Sequence, residues 1–282
     1  MGTASSAPWL LSGFGDEIDP DPAIQAAVLR ALGARHIEVR SAWDVNVVDL
    51  SSAQLAQLRA VLSRFDTRVS AIASPVGKVD ISEPAEAELA RLGRAIAAAH
   101  GFGARYIRIF SFYRRPGVEV STIRDAVLSR MRAFATLAER EGVVLLHENE
   151  KDIYGDVPSR VLDIVESVGS SALRLAWDSA NFVQVGVRPF TDGYAMLRPH
   201  LEYLQVKDAI AATGAVTPAG EGDGELVETL LALRDDGWSG FASLEPHLAE
   251  SNPGGGFSGV DEFGIAARAF ARLTDELGIA VE

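Results

Sequence analysis

Eight short β-rich runs, spaced along the chain and alternating with helical patterns, restrict the fold more than any other feature. They are "LLSGFG", "RHIEVR", "RVSAIAS", "RYIRIFSF", "VVLLHEN", "LRLAWD", "EYLQVK" and "GFASLE". Most lie about 30–40 residues apart, the size of a strand–helix unit. Between them run amphipathic segments such as "SSAQLAQLRAVLSRF", "EAELARLGRAIAAAHGFG" and "STIRDAVLSRMRAFATLAERE", whose apolar positions recur at helical spacing. Several joints carry a Gly between helix and strand, as in "RALGARHIEVR", "EREGVVLLHE", "VESVGSSALRLAWD" and "RDDGWSGFASLE". Gly suits a helix end because it enters the left-handed region without a Cβ clash. Ser51 with Gln54 predicts a capping box, and Asp21-Pro22 predicts a helix start. The segment after "LAWD" predicts the weakest helix, since "RPFTDGYAMLRPH" is short and broken by Pro.

Eight such alternations in 282 residues predict an α/β protein of one domain, a (β/α)₈ barrel. A doubly wound sheet is the second choice. It would normally place a Gly-rich phosphate loop after its first strand, and "GFGDEID" is not one. Residues 1–8 read as a flexible lead-in and residues 9–282 as the catalytic barrel. "NPGGGFSGVDEF" falls between the eighth strand and the last helix, where a barrel has a long loop on its active-site face; a plain surface loop reads equally well.

Charge excludes some functions. A formal net charge of −13, with a pI of about 4.9, argues against a nucleic-acid binder, which gains affinity from clustered Lys and Arg. Without cysteine there is no disulfide, thiolate nucleophile or Cys-bound zinc. No run reaches the apolar length of a membrane span, and "MGTASSAPWL" lacks the pattern of a signal peptide. A cytoplasmic protein with no membrane partner is the expectation.

In a barrel the C-terminal strand ends carry the chemistry. Here they carry Glu38 and Arg40 on strand two, Arg108 on strand four, and His147 and Glu148 on strand five. Asp178 with Asn181 follows on strand six, Gln205 and Lys207 on strand seven, and Glu245 and His247 on strand eight. Carboxylates converging on a barrel mouth repel one another and lose hydration unless a cation or a proton compensates. Three carboxylates and an amide oxygen from strands five to eight form a candidate shell for a divalent cation of the Mg or Mn type. A metal-free polar network is the alternative, and Arg40, Arg108 and Lys207 would then be partners in structural ion pairs. Lys78 in "SPVGK" lies on a loop at the third strand end, and "GEGDG" reads as the turn after strand seven.

In this order, "IEVR", "IRIFSFY", "HENEKDIYGD", "WDSANFVQVG", "QVKDA", "GEGDG" and "SLEPH" resemble the xylose isomerase-like barrels, the sugar phosphate isomerase/epimerase superfamily. The resemblance spans nearly the whole chain. It implies metal ligands at Glu148, Asp178, Gln205 and Glu245, with Gln205 standing where the family often has His. Mn or Mg would be favoured, with Co or Zn as alternatives. It also implies Glu148 and Glu245 as the acid/base pair that moves a proton beside a carbonyl through an enediolate. Glu38, Arg40, Arg108, His147, Asn181, Lys207 and His247 would bind the substrate, a small carbohydrate. The expected activity is that of a sugar or keto-polyol isomerase or epimerase in carbohydrate metabolism. A keto-inositol dehydratase and a metal-free sugar-binding barrel are the alternatives, and a homo-oligomer is left open. The superfamily's DNA-repair branch uses many His ligands, and this chain has five His in all.

Overall fold

A computed structural model describes residues 7–249 and 256–282. The expected lead-in therefore lies mostly outside the described residues, as does part of the Gly-rich loop. Eight parallel strands form the sheet, and we number them in chain order: β1 Leu10–Gly13, β2 His36–Val39, β3 Arg68–Ile72, β4 Tyr106–Ile109, β5 Val144–Glu148, β6 Leu173–Asp178, β7 Leu201–Val206 and β8 Phe241–Leu244. Each pairs with its sequence neighbour, except that β1 pairs with β8. A bridge between Phe14 and Glu38 joins the β1 and β2 ends and completes the ring. All eight predicted runs contain a strand, and the fold is the predicted single-domain (β/α)₈ barrel.

The helices pack outside: α1 Pro22–Ala31, α2 Ser52–Arg64, α3 Ala85–Phe102, α4 Val120–Glu141, α5 Pro158–Val168, α6 Ser179–Gln184, α7 Leu226–Asp235 and α8 Gly259–Glu276. Their starts follow the chain's own signals. Asp21 accepts from the Ala23 N–H ahead of Pro22, and Ser51 and Gln54 form the reciprocal capping box. Gly142 and Gly169 end α4 and α5 at φ of 70° and 65°, the conformation that favours glycine. After β6 comes the short α6, and the stretch predicted as the weakest helix, "RPFTDGYAMLRPH", forms no continuous α-helix. A π-helical turn, Pro189–Tyr194, and two short turns then lead to β7. No described helix is long and apolar enough to cross a membrane.

Strand alternation divides each strand's side chains between two cores. Ile37, Ile107, Leu145, Leu175, Leu204 and Ala242 face the helices in the large outer core. Ala71, Val144, Leu146, Ala176 and Tyr203 fill the lower barrel, with Tyr106 and Phe241 packed against them. Tyr203 Oη is 2.9 Å from Ser70 Oγ, which is 2.6 Å from Ser12 Oγ. The lower lumen is thus a solid floor. Above it the same inward positions become polar.

Candidate active site at the barrel mouth

The inward series on each strand ends in a charged or amide side chain. On β5, Val144 and Leu146 are followed by Glu148, and on β6, Ala176 is followed by Asp178. On β7, Tyr203 is followed by Gln205 and then Lys207, and beyond β8 comes Glu245; all five polar side chains are buried. Glu148, Asp178 and Glu245 offer oxygens that all lie within 4.8 Å of one another. Sequence separations of about 30 to about 97 residues collapse to within 4.8 Å because strands β5 to β8 follow one another round the ring.

Cations of the chain are threaded through these carboxylates. Arg108 Nη1 donates to Glu148 Oε2 at 3.1 Å and to Glu245 Oε1 at 3.3 Å. Lys207 Nζ lies 2.8 Å from Asp178 Oδ2 and 3.3 Å from Glu245 Oε2. Arg40 Nη1 and His247 Nε2 approach Glu245 Oε1 at 3.6 and 3.4 Å. Phe14 stabilises the arrangement from β1, with the Arg40 and Arg108 guanidinium groups each 5.1 Å from its ring centre.

These surroundings drive the proton affinities of two carboxyls apart. Burial raises the affinity of Glu148 by more than Arg108 lowers it, and repulsion from Glu245 adds to the rise, so Glu148 is pushed up to about 8. Burial acts on Glu245 too, but Lys207, His247 and Arg108 together overcome it and keep that carboxyl ionised. His247 is pushed up to about 9: burial opposes its charge, and Glu17 and Glu245 prevail.

Supporting hydrogen bonds fix the rotamers. Asn149 and Asp178 exchange bonds between strand tips, the Asn149 amide donating to the Asp178 carbonyl and accepting from its N–H. Asp178 Oδ1 accepts from the Asn181 N–H at the start of α6, and the Asn181 amide donates back to Glu148 Oε1 at 3.2 Å. Gln205 neighbours Asp178 in the β6–β7 ladder. Its amide donates to Glu38 Oε1 at 3.4 Å, which leaves its own Oε1 buried with no hydrogen-bond donor among the described residues.

Of the residues expected in the site, Glu38, Arg40, Arg108, Glu148, Asp178, Asn181, Gln205, Lys207, Glu245 and His247 are joined by these contacts. His147 is a correction. It directly precedes Glu148, so strand alternation turns it to the opposite face. There it is buried against Gly155 and Ser111 in the helix layer, not in the lumen. Burial alone pushes it down to about 3, so it is a neutral packing residue. "GEGDG" does build the turn: Asp208 accepts from the N–H groups of Gly220, Gly222 and Gly224, and Glu221 lies 3.9 Å from Arg272. Lys78 reaches Glu150 at 2.9 Å over the Phe110 ring.

Two site residues were missed. Asp16 accepts from Arg40 Nε at 2.8 Å and from Ser41 Oγ at 2.6 Å. Glu17 accepts from the His247 N–H and from Ser258 Oγ. Both stand in "GFGDEID", a stretch whose pattern excludes a phosphate loop and whose two acidic residues the sequence reading leaves without a role. Their position directly after a strand was the available signal. The described ends of the Gly-rich loop meet them on this face, where Ser258 N–H donates to the Glu17 carbonyl and Arg40 Nη2 to the Gly256 carbonyl.

The family model for the xylose isomerase-like TIM barrel matches residues 26–263. The chain belongs to this family. A 2-epi-5-epi-valiolone 7-phosphate 2-epimerase from Actinoplanes sp. is 30% identical over 182 residues, a stretch covering 63% of this chain and 64% of that relative. Among solved structures, a xylose isomerase-like TIM barrel protein from Mycobacterium smegmatis in complex with magnesium superposes with a TM-score of 0.71 at 22% identity, over 98% of each chain. A D-tagatose 3-epimerase-like protein superposes with a TM-score of 0.77 at 15% identity, over 95% of this chain and 98% of its own. Both likenesses show the barrel.

Proposed function

We propose that this xylose isomerase-like barrel is a divalent-metal-dependent isomerase or epimerase of a small sugar or keto-polyol. The observation that carries the reading is the meeting of Glu148, Asp178 and Glu245 in one buried cluster, with the proton affinities of Glu148 and Glu245 driven in opposite directions. Such a split assigns an acid and a base. Glu245 is the ionised partner, fit to take a proton from a carbon beside a carbonyl. Glu148 is its counterpart, fit to return one. Returning it to the other face of the same carbon inverts a centre, and returning it to the neighbouring carbon interconverts aldose and ketose. Arg108 touches both carboxylates and stabilises negative charge that develops between them. Asn181 and Asn149 hold Glu148 and Asp178 in place. The epimerase relative supports the reaction class.

The residues fit a hard cation. Glu148, Asp178 and Glu245 supply carboxylate oxygens, Asp178 Oδ2 faces Lys207 Nζ at 2.8 Å, and Gln205 Oε1 is buried without a hydrogen-bond donor among the described residues. An all-oxygen set suits Mg²⁺ or Mn²⁺ better than zinc. When bound, the cation would act as a Lewis acid on the substrate's carbonyl oxygen. Lys207, between Asp178 and Glu245, would have to share that space.

The test is elemental analysis of chelator-free protein together with solvent-deuterium exchange into ketose substrates. Near-stoichiometric Mn or Mg is expected, with a loss of exchange of about 10³-fold in Glu148→Gln and a fall in bound metal. Mn²⁺ at a hundred times its Kd should stabilise the fold by about 2.7 kcal/mol. Protein that takes up no metal after reconstitution, or a variant with undiminished exchange, defeats the proposal.

A further inference from the structure

The N-terminal face of the barrel, opposite the carboxylate-lined mouth, holds a cavity of about 590 Å³, within the size range of small-molecule sites. It lies where β2, β3, β4 and β8 begin and where α2 and α3 end. Tyr106 and Phe241, packed into the floor of the lumen from below, form part of its wall. The floor therefore separates it from the carboxylate cluster. Arg59, Arg68 and Arg105 line this cavity against a single carboxylate, Asp66, which lies 3.9 Å from Arg30. That balance reverses the chain's net charge of −13. Glu202 is taken by the Tyr106 hydroxyl at 2.7 Å and by Arg174 at 3.7 Å. Glu282 borders an adjoining cavity with Arg35 and Arg68 but forms an ion pair with neither. Residues 1–6, which precede β1 in sequence, carry no carboxylate side chain.

Arginines on this face have ordinary work at helix ends, whose carbonyls carry partial negative charge. Arg59 does that work, donating to the Gly101 carbonyl at 3.4 Å. Arg68 opens β3 and Arg105 directly precedes β4, past the last turns of α2 and α3. Among the described residues neither side chain meets a carboxylate or donates to a carbonyl, and Arg105 lies over the Tyr106 ring at 5.5 Å. The apolar part of the wall is aromatic. His36 and Tyr106 each meet Phe241 edge-on, at 5.0 and 6.2 Å and interplanar angles of 78° and 82°. Burial, and then Arg68, lowers the proton affinity of His36, so the positive charge here is that of the guanidinium groups. Guanidinium groups grip phosphate with paired donors and stack on flat π systems.

We propose that this cavity binds a nucleoside phosphate, with Arg68 and Arg105 on the phosphate and the base against the wall of Tyr106 and Phe241. A nucleotide carries both features that the cavity is furnished to meet, a flat body and an anionic group. The site stands apart from the isomerase reading, since it lies beneath the floor and uses no residue of the mouth.

Calorimetric titration of the full chain with AMP, ADP and UMP tests this, with adenosine and inorganic phosphate as the two halves of the ligand. At least one nucleotide is expected to bind, one per chain, at least ~10-fold more tightly than either half. Arg68→Gln combined with Arg105→Gln should weaken that nucleotide by ~10-fold or more. Each single variant, at an exposed position, should show part of the loss without a change in thermal melting. Glu148→Gln should bind the nucleotide as the parent chain does, because its carboxyl lies beyond the floor. A nucleotide held no better than inorganic phosphate, or no better than adenosine, overturns the inference. Binding kept in the arginine variants and lost in Glu148→Gln places the nucleotide at the mouth and overturns it too. So does the failure of all three nucleotides to bind at up to about 1 mM.

Discussion

His147 and Glu148 show how much one residue of displacement decides. The apolar run before them makes both buried, but only even steps from Val144 point into the lumen. Glu148 is bridged to Glu245 by Arg108, and His147 is enclosed beside Gly155. Enclosure has a thermodynamic signature. The folded chain holds His147 neutral down to about pH 3 against an ordinary value of 6.5, so the unfolded chain binds the extra proton between those limits. Stability that this residue contributes is fully present above pH 6.5 and drains away as pH falls toward 3, at up to about 1.4 kcal/mol per pH unit. His147→Asn should flatten that slope in urea melts taken across the window. An unchanged slope would show that other groups set the acid limit. The pairing of Arg108 with two carboxylates was not readable from the chain, because only ring closure tells which strand tips meet.

At the scale of elements, the loop after β3 shows how a strand tip is aimed. "SPVGK" leaves β3 and runs beside the β4 extension: Phe110 N–H donates to the Val76 carbonyl and Phe112 N–H to that of Gly77. Gly77 N–H donates in turn to the buried Glu88 carboxylate at 2.7 Å. Gly77 has φ +85°, and a Cβ there would overlap the Phe110 carbonyl. Gly77→Ala should therefore cost about 3 kcal/mol or more and displace Lys78 from Glu150; thermal melts showing a loss under 1 kcal/mol would contradict this. Elements of this chain were legible wherever one physical rule acted alone. Period-two alternation gave the strands, capping residues gave α1 and α2, and glycines gave the ends of α4 and α5. The stretch from Pro189 to His200 resisted because Pro, Gly and aromatic packing compete there, and the outcome is a π-helical turn. Asp16 and Glu17 escaped notice because a short strand with two glycines offers little periodicity.

On the scale of the whole molecule, the barrel separates support from chemistry along its axis. Apolar and aromatic side chains hold the lower half together, and the cations Arg40, Arg108, Lys207 and His247 meet the carboxylates at the upper rim. The packed floor beneath them, built from Tyr106, Tyr203, Phe241 and their neighbours, makes the site a shaft with one door. Traffic through it cannot flow past: whatever leaves must retreat along the path by which the next molecule arrives. On the reaction proposed above, product and substrate should therefore exclude each other, so that an epimer formed acts as a competitive inhibitor in initial-rate assays, and noncompetitive inhibition would contradict a single shared site. Net flux through it must be drawn by whatever removes the product outside.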